Sequence, residues 1–495
     1  MELFGQHIAA GTAFFLFLAL FLALSFEFVN GFHDTANAVA TVIYTRSLKP
    51  IHAVIWSGCW NLIGVLVSAG AVAYGIVALL PSELVLNVGS DAGFAMVFAL
   101  LISAIIWNVG TWFLGLPASS SHTLIGSILG VGLANALMNH KPWSAGVNWG
   151  QVQTVFTGLI ISPLIGFAAS ALLLVAARAL IKNPELFIPP DKGGQPPRWV
   201  KGLLILTCTG VSFTHGSNDG QKGMGLIMLI MIGVIPGAFA LQMGTSSTQI
   251  AALTTQSRAI STTMQAHDPG VVLSQDQAGK EITAFLKSSG KATPATFAAI
   301  AAKAGDVAGH IDGKASFDQL PTAERVAVRR DMYQVSDSIA KLDKGKVFTD
   351  KAEDKAAVSY QKDLDKTTKF IPVWVKVIVA FALGIGTMIG WKRIVVTVGE
   401  KIGKQHLTYA QGASAELVAM GTIGLATQFG MPVSTTHVLS SGIAGTMFAS
   451  KSGLQAGTLR NILLAWVLTL PVCVLLGAGT FSAAIYFVLH VLHSH

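Results

Sequence analysis

Asp34 and Asp219 each sit inside an apolar run, in the strings Phe28-Val-Asn-Gly-Phe-His-Asp-Thr-Ala-Asn37 and Phe213-Thr-His-Gly-Ser-Asn-Asp-Gly-Gln-Lys222. A carboxylate within a membrane span is costly, so it faces a partner or a wet cavity. The chemistry on offer is cation coordination or proton carriage. The plainer reading is a hydrogen bond between helices, or an ion pair of Asp219 with Lys222. An offset of 185 superposes Phe28 on Phe213, Gly31 on Gly216 and Asp34 on Asp219, which favours function over accident. Glu27, Asn30, His33 and Asn37 flank the first aspartate; His215, Asn218, Gln221 and Lys222 flank the second. His33 and His215 read equally as orienting rings or as proton carriers. Lys222 reads equally as an anion attractor or as the neutralising partner of Asp219. Gly31 and Gly216 are expected to let the backbone open, freeing N–H and C=O groups as ligands.

A second pair of strings, Pro117-Ala-Ser-Ser-Ser-His-Thr-Leu124 and Pro432-Val-Ser-Thr-Thr-His-Val-Leu439, repeats at an offset of 315. Proline favours the first helical turn. Ser119, Ser120 and Ser121, and likewise Ser434, Thr435 and Thr436, would then lie beside unpaired backbone N–H groups at a helix N-terminus, an anion site. The plainer reading is that these hydroxyls only cap or pack helices. Neutral donors arranged in this way suit a tetrahedral oxyanion. Phosphate, unlike sulfate near neutral pH, can also donate a proton to Asp34 or Asp219. Asn108, Thr111, His122, His437 and Gln221 are accessory candidates, and Glu27 and Glu416 are expected to reach a polar rim.

The elements that must hold these groups are membrane helices. Of 495 residues, 52% are hydrophobic and only 12% charged, with a mean hydropathy of +0.60; a soluble domain carries about 25% charged residues. We expect an all-α integral membrane protein, with about ten to twelve spans in two inverted repeats, some of them broken or re-entrant. Residues 241–369 hold 32 of the 58 charged residues and read as a polar insert. The two offsets differ by 130, about the insert's length, so it splits the second copy after its first motif. The expected organisation is a first membrane repeat over 1–200, the start of the second over 201–240, the insert over 241–370 and the rest of the second repeat over 371–495. Basic loops at 44–50, 179–201 and 391–405, against an acidic loop at 81–92, place the basic side in the cytoplasm. Both termini and the insert then lie outside. The net charge of +8 is a matter of topology, with no basic-aromatic strip for nucleic acid. Cys59, Cys208 and Cys473 are far apart and read as packing residues.

The four motifs together resemble the inorganic phosphate transporter (Pit) family, and most of all its bacterial low-affinity permeases. The resemblance covers about 1–240 and 371–490. It implies a homodimer in the inner (plasma) membrane that works by alternating access and imports inorganic phosphate with a cation, the phosphate bare or as a neutral divalent metal–phosphate complex. It assigns Asp34, Asn37 and Asp219 to cation and phosphate binding, and Ser119–Ser121 and Ser434–Thr436 to cradling the anion. His33, Gln221 and Lys222 depart from amides and small residues found in many members. Replacing amide ligands by titratable or positive groups disfavours sodium, so proton symport is expected, with His33, His215, Asn218 and Glu27 joining Asp34 and Asp219. No organic cofactor is expected. Alternatives are a sodium-coupled phosphate carrier, a sulfate or other oxyanion permease, a channel and an intramembrane hydrolase. The last lacks a Gly-x-Ser-x-Gly elbow.

Overall fold

The computed structural model describes residues 1–80, 89–190, 196–268, 270–287, 292–488 and 490; Glu83 and Lys192, counted among the loop charges above, lie outside them. Among the described residues the architecture is all-α apart from a hairpin of two-residue strands, Glu2–Leu3 with Gln6–His7, and an isolated bridge between Gly403 and Leu454. Two compact units form: Met1–Ala13 with Met231–Phe370, and Phe14–Ile230 with Ile371–His495.

The smaller unit holds helices Ser247–Ala266, Gln275–Lys287, Pro294–Ile311, Thr322–Lys344 and Lys351–Thr368. Capping boxes at Ser246 and Thr293 start the first and third of these, satisfying orphan N–H groups at each end. Tyr360, Phe317, Met332 and Leu342 fill its core.

Among the described residues, six helices are long and apolar enough to cross a bilayer: Ala10–Tyr44, Pro50–Val67, Asp91–Phe113, Ser120–Met138, Trp149–Leu180 and Ala456–Phe487. Helices Arg198–Val234, Tyr409–Gln428 and Thr435–Ala449 fall outside that test. The first carries the second aspartate motif, and the last has only 15 residues.

The long helices pair reciprocally across the sequence: Trp149–Leu180 lies on Thr435–Ala449 and Tyr409–Gln428, and Ala456–Phe487 lies on Ser120–Met138 and Asp91–Phe113. Gly130 and Gly445, 315 positions apart, mark the crossings. A Cβ on Gly130 would stand 2.1 Å from the Val474 carbonyl oxygen, and one on Gly445 would stand 2.2 Å from that of Phe167. Backbone approach this close is how helices associate where lipid supplies no hydrophobic drive.

The glycines of the aspartate motifs do the same, which corrects one expectation. Gly216 lies within an uninterrupted helix, Arg198–Val234, and Gly31 precedes only a one-residue interruption at Thr35. A Cβ on Gly31 would lie 2.3 Å from the Leu383 oxygen, and one on Gly216 would lie 2.2 Å from the Asn61 oxygen. These glycines let helices touch and do not open them.

Candidate functional site

The hydroxyl motifs start helices as expected, but one step later. Pro117 and Pro432 precede the caps by two residues; Ser119 and Ser434 are the caps, and helices Ser120–Met138 and Thr435–Ala449 follow. A proline there keeps the chain extended into the cap. Ser119 Oγ accepts the N–H of His122 at 3.2 Å, and Ser434 Oγ that of His437 at 3.1 Å. Both caps are therefore spent on their own helices, leaving Ser120, Ser121, Thr435 and Thr436 to reach outward.

The two N-termini meet. Ser121 Oγ donates to the Val433 carbonyl at 2.8 Å. The His122 and His437 rings lie 4.6 Å apart, His437 stacks on Trp466 at 4.0 Å, and Trp466 Nε1 donates to the Pro117 carbonyl at 2.9 Å.

Asp34 sits at this junction. Ser120 Oγ donates to its Oδ2 at 2.9 Å, Thr436 Oγ1 donates to its Oδ1, and Asn37 Nδ2 donates to Oδ1 at 3.2 Å. Asn37 also reaches the hydroxyls of Thr435 and Thr436, at 3.3 and 3.1 Å. The second aspartate motif joins through His215, whose Nε2 lies 3.7 Å from Asp34 and 3.5 Å from Asp219. Lys222 Nζ is 2.7 Å from Asp219 Oδ2. His33 Nδ1 approaches Asp34 at 3.8 Å while its Nε2 lies 3.1 Å from Thr111 Oγ1. No side chain among Asp34, Asn37, Ser120, Thr435, Thr436, His215, Asp219 and Lys222 is more than 3% exposed. The cluster is closed off from water.

Asp34, His215 and Asp219 present ligand atoms that all lie within 4.8 Å of one another. His215 Nε2 and Asp219 Oδ1 lack hydrogen bonds among the described residues. Two carboxylates and an imidazole could hold a small cation, although Lys222 already offsets one of the charges.

Other candidates stand apart. Asn218 donates to Thr427 Oγ1 and the Met431 carbonyl, at 2.9 and 3.2 Å, bracing the approach to the second hydroxyl motif. Gln221 is spent on backbone, accepting from the Val72 N–H and donating to the Ser217 carbonyl. Glu27 packs against Gly223, with Asn30 Nδ2 at 3.5 Å from its Oε2. Asn108 is buried, and neither of its amide atoms has a partner among the described residues. Glu416 is buried rather than at a rim, and takes the hydroxyls of Thr41 and Thr207.

Sequence reasoning missed Asn61, whose Oδ1 lies 2.7 Å from His215 Nδ1 and whose Nδ2 donates to Thr387 Oγ1 at 3.2 Å. A lone amide in an apolar helix was the available signal. Thr387 carried none, because a threonine in a span is ordinary.

The profile described as the phosphate transporter family matches residues 30–477, taking in three motifs whole and the first from Asn30 onward. The chain belongs to the phosphate transporter family. Within that family it is 43% identical over 502 residues to the low-affinity inorganic phosphate transporter PitA of Escherichia coli K12, spanning 97% of this chain and 99% of PitA. It is also 43% identical to PitB of the same strain, over 96% of this chain and 98% of PitB. In fold it is similar to a solved sodium-dependent phosphate transporter, with a TM-score of 0.53 and 18% identity over 96% of this chain and 99% of that one. The expected family is thus shown, and the relatives are transporters rather than enzymes.

Proposed function

We propose that this protein carries inorganic phosphate into the cell by proton symport, with alternating access about the closed cluster. One observation carries the reading: Asp34, of the first copy, takes hydroxyl donors from the N-termini of both hydroxyl-motif helices, Ser120 and Thr436. Anion donors and the ionisable group thereby share one place, as coupling requires. Phosphate is held by Ser120, Ser121, Thr435, Thr436 and Asn37, with Ser119 and Ser434 fixing the two helix starts and Lys222 adding positive charge behind Asp219. The proton resides in the network of Asp34, His215 and Asp219, with His33 orienting Asp34 from Thr111.

Reciprocal packing of the copies supports an inverted repeat, and hence two alternative packings of similar energy. The Lys222–Asp219 pair supports proton over sodium, since an ammonium already fills the position beside that carboxylate. The reading extends to a homodimer in the inner membrane, and to cargo taken as a neutral metal–phosphate complex when a divalent metal is present.

The test is radiolabelled phosphate uptake into proteoliposomes under a proton or a sodium gradient, with and without magnesium. Uptake driven by protons and lost in Asp34→Asn is the expected result. Uptake driven only by sodium would overturn the coupling. Sulfate competing as well as phosphate would overturn the substrate.

A further inference from the structure

A cavity of about 590 Å³ lies where the helix Asp91–Phe113 ends and the chain leaves Val373–Met388 through Gly390 and Trp391. Its lining includes Trp112, Phe113, Trp391, Lys392, Arg393 and Lys401, three aromatic rings and three cations, with no carboxylate among the lining residues. The walls are braced before any ligand arrives. Trp112 Nε1 donates to the Gly390 carbonyl at 2.7 Å, and Thr397 Oγ1 to the Gly115 carbonyl at 2.8 Å. Arg393 Nη1 donates to the Phe113 carbonyl at 2.9 Å, with its guanidinium over the rings of Trp112 and Phe113 at 5.3 and 4.8 Å. Lys392 and Lys401 make no ion pair among the described residues and are exposed. Phe113 and Leu114, on the rim, are 61% and 70% exposed.

We propose that this cavity binds the phosphate headgroup of an anionic phospholipid. The position at helix ends, rich in tryptophan, is that of a membrane–water interface. Basic pockets between spans at such a level take anionic headgroups. Inorganic phosphate shares the headgroup's chemistry, but the exposed Phe113 and Leu114 serve no purpose for a free ion. They offer an acyl chain a path along the rim while Lys392 and Lys401 meet the phosphodiester and Arg393 holds the wall. One lining residue adjoins the cluster: Trp112 follows Thr111, the partner of His33, and its ring meets that of Phe32 at 5.0 Å. A seated lipid would stiffen the wall on which the His33–Asp34 step rests.

The test is native mass spectrometry of the delipidated full-length protein in detergent, titrated with phosphatidylglycerol or phosphatidylcholine of matched chains. Comparison is with Lys392→Gln/Lys401→Gln, which spares the bracing Arg393. Phosphatidylglycerol adducts should weaken roughly 20-fold in the double variant, with phosphatidylcholine unchanged. If the double variant does not elute as the same single peak as the wild type, Lys401→Gln alone should weaken them roughly fivefold. Equal adducts of the two lipids, or adducts indifferent to the substitutions, would overturn the proposal. Displacement of phosphatidylglycerol by excess inorganic phosphate would overturn it too, and reassign the cavity to the free ion.

Discussion

Thr436 donates its hydroxyl to the carboxylate of Asp34 across 402 positions of sequence. A hydroxyl at the start of helix Thr435–Ala449 thus meets an acid near the N-terminal end of the sequence. Removing it should cost a charge-assisted hydrogen bond, about 1.5–3 kcal/mol. Thr436→Val should lower phosphate uptake about tenfold or more at unchanged protein level, while Thr436→Ser should keep most of it. Equal uptake in the two variants would refute a role for the hydroxyl.

Lys222 and Asp219 are both fully enclosed, 2.7 Å apart. Breaking a buried pair from one side strands a charge, at about 3–5 kcal/mol. Lys222→Met should therefore cut thermal stability in detergent, and Asp219→Asn/Lys222→Met should restore much of it. Transport should stay lost in the double variant. Recovered transport would make the pair a structural strut alone.

A methyl group on Gly216 would meet the Asn61 carbonyl oxygen at 2.2 Å, whereas Gly202, on the same helix, has open space around it. Overpacking of this kind costs about 1–3 kcal/mol. Gly216→Ala should reduce the folded yield by gel filtration, and Gly202→Ala should leave it intact.

In the smaller unit, Lys303 Nζ and Asp331 Oδ1 are 2.9 Å apart and nearly inaccessible. Burial, with Asp306 beside it, holds the Asp331 carboxyl above its ordinary 3.8, outweighing the pull of Lys303. An acid raised in the folded state contributes stability that is complete below its unfolded value and fades as pH rises through the folded one. Hydrogen exchange of Thr322–Lys344 in the whole protein should therefore show protection that declines over that window. In Asp331→Asn, which is neutral at every pH, the profile should be flat and stay near the protection wild type shows at low pH.

The apolar body, the charged stretch over 241–369 and the four motifs were legible because composition and repeat offsets are properties of the chain itself. Asp34, Asp219 and the hydroxyl strings were found by being polar where lipid forbids polarity. Which of them meet was not legible. Ser120, Thr436 and His215 converge on Asp34 through helix crossings set by Gly31, Gly130, Gly216 and Gly445, and a glycine does not name its partner in sequence. The roles of Gln221 and Asn218 were obscured for a related reason: an amide spent on backbone is spelled like one aimed at a ligand.

Two helix N-termini aimed at one point repel each other unless negative charge lies between them. In this protein Asp34 supplies that charge and occupies the very hydroxyls that an oxyanion would use. On the proposed symport reading, that carboxylate stands in for the anion. On the same reading, an arriving anion would evict it, which is cheap only once a positive charge has come to Asp34. Carboxylate and anion would then compete for the same donors, and passage of either ion alone would be penalised.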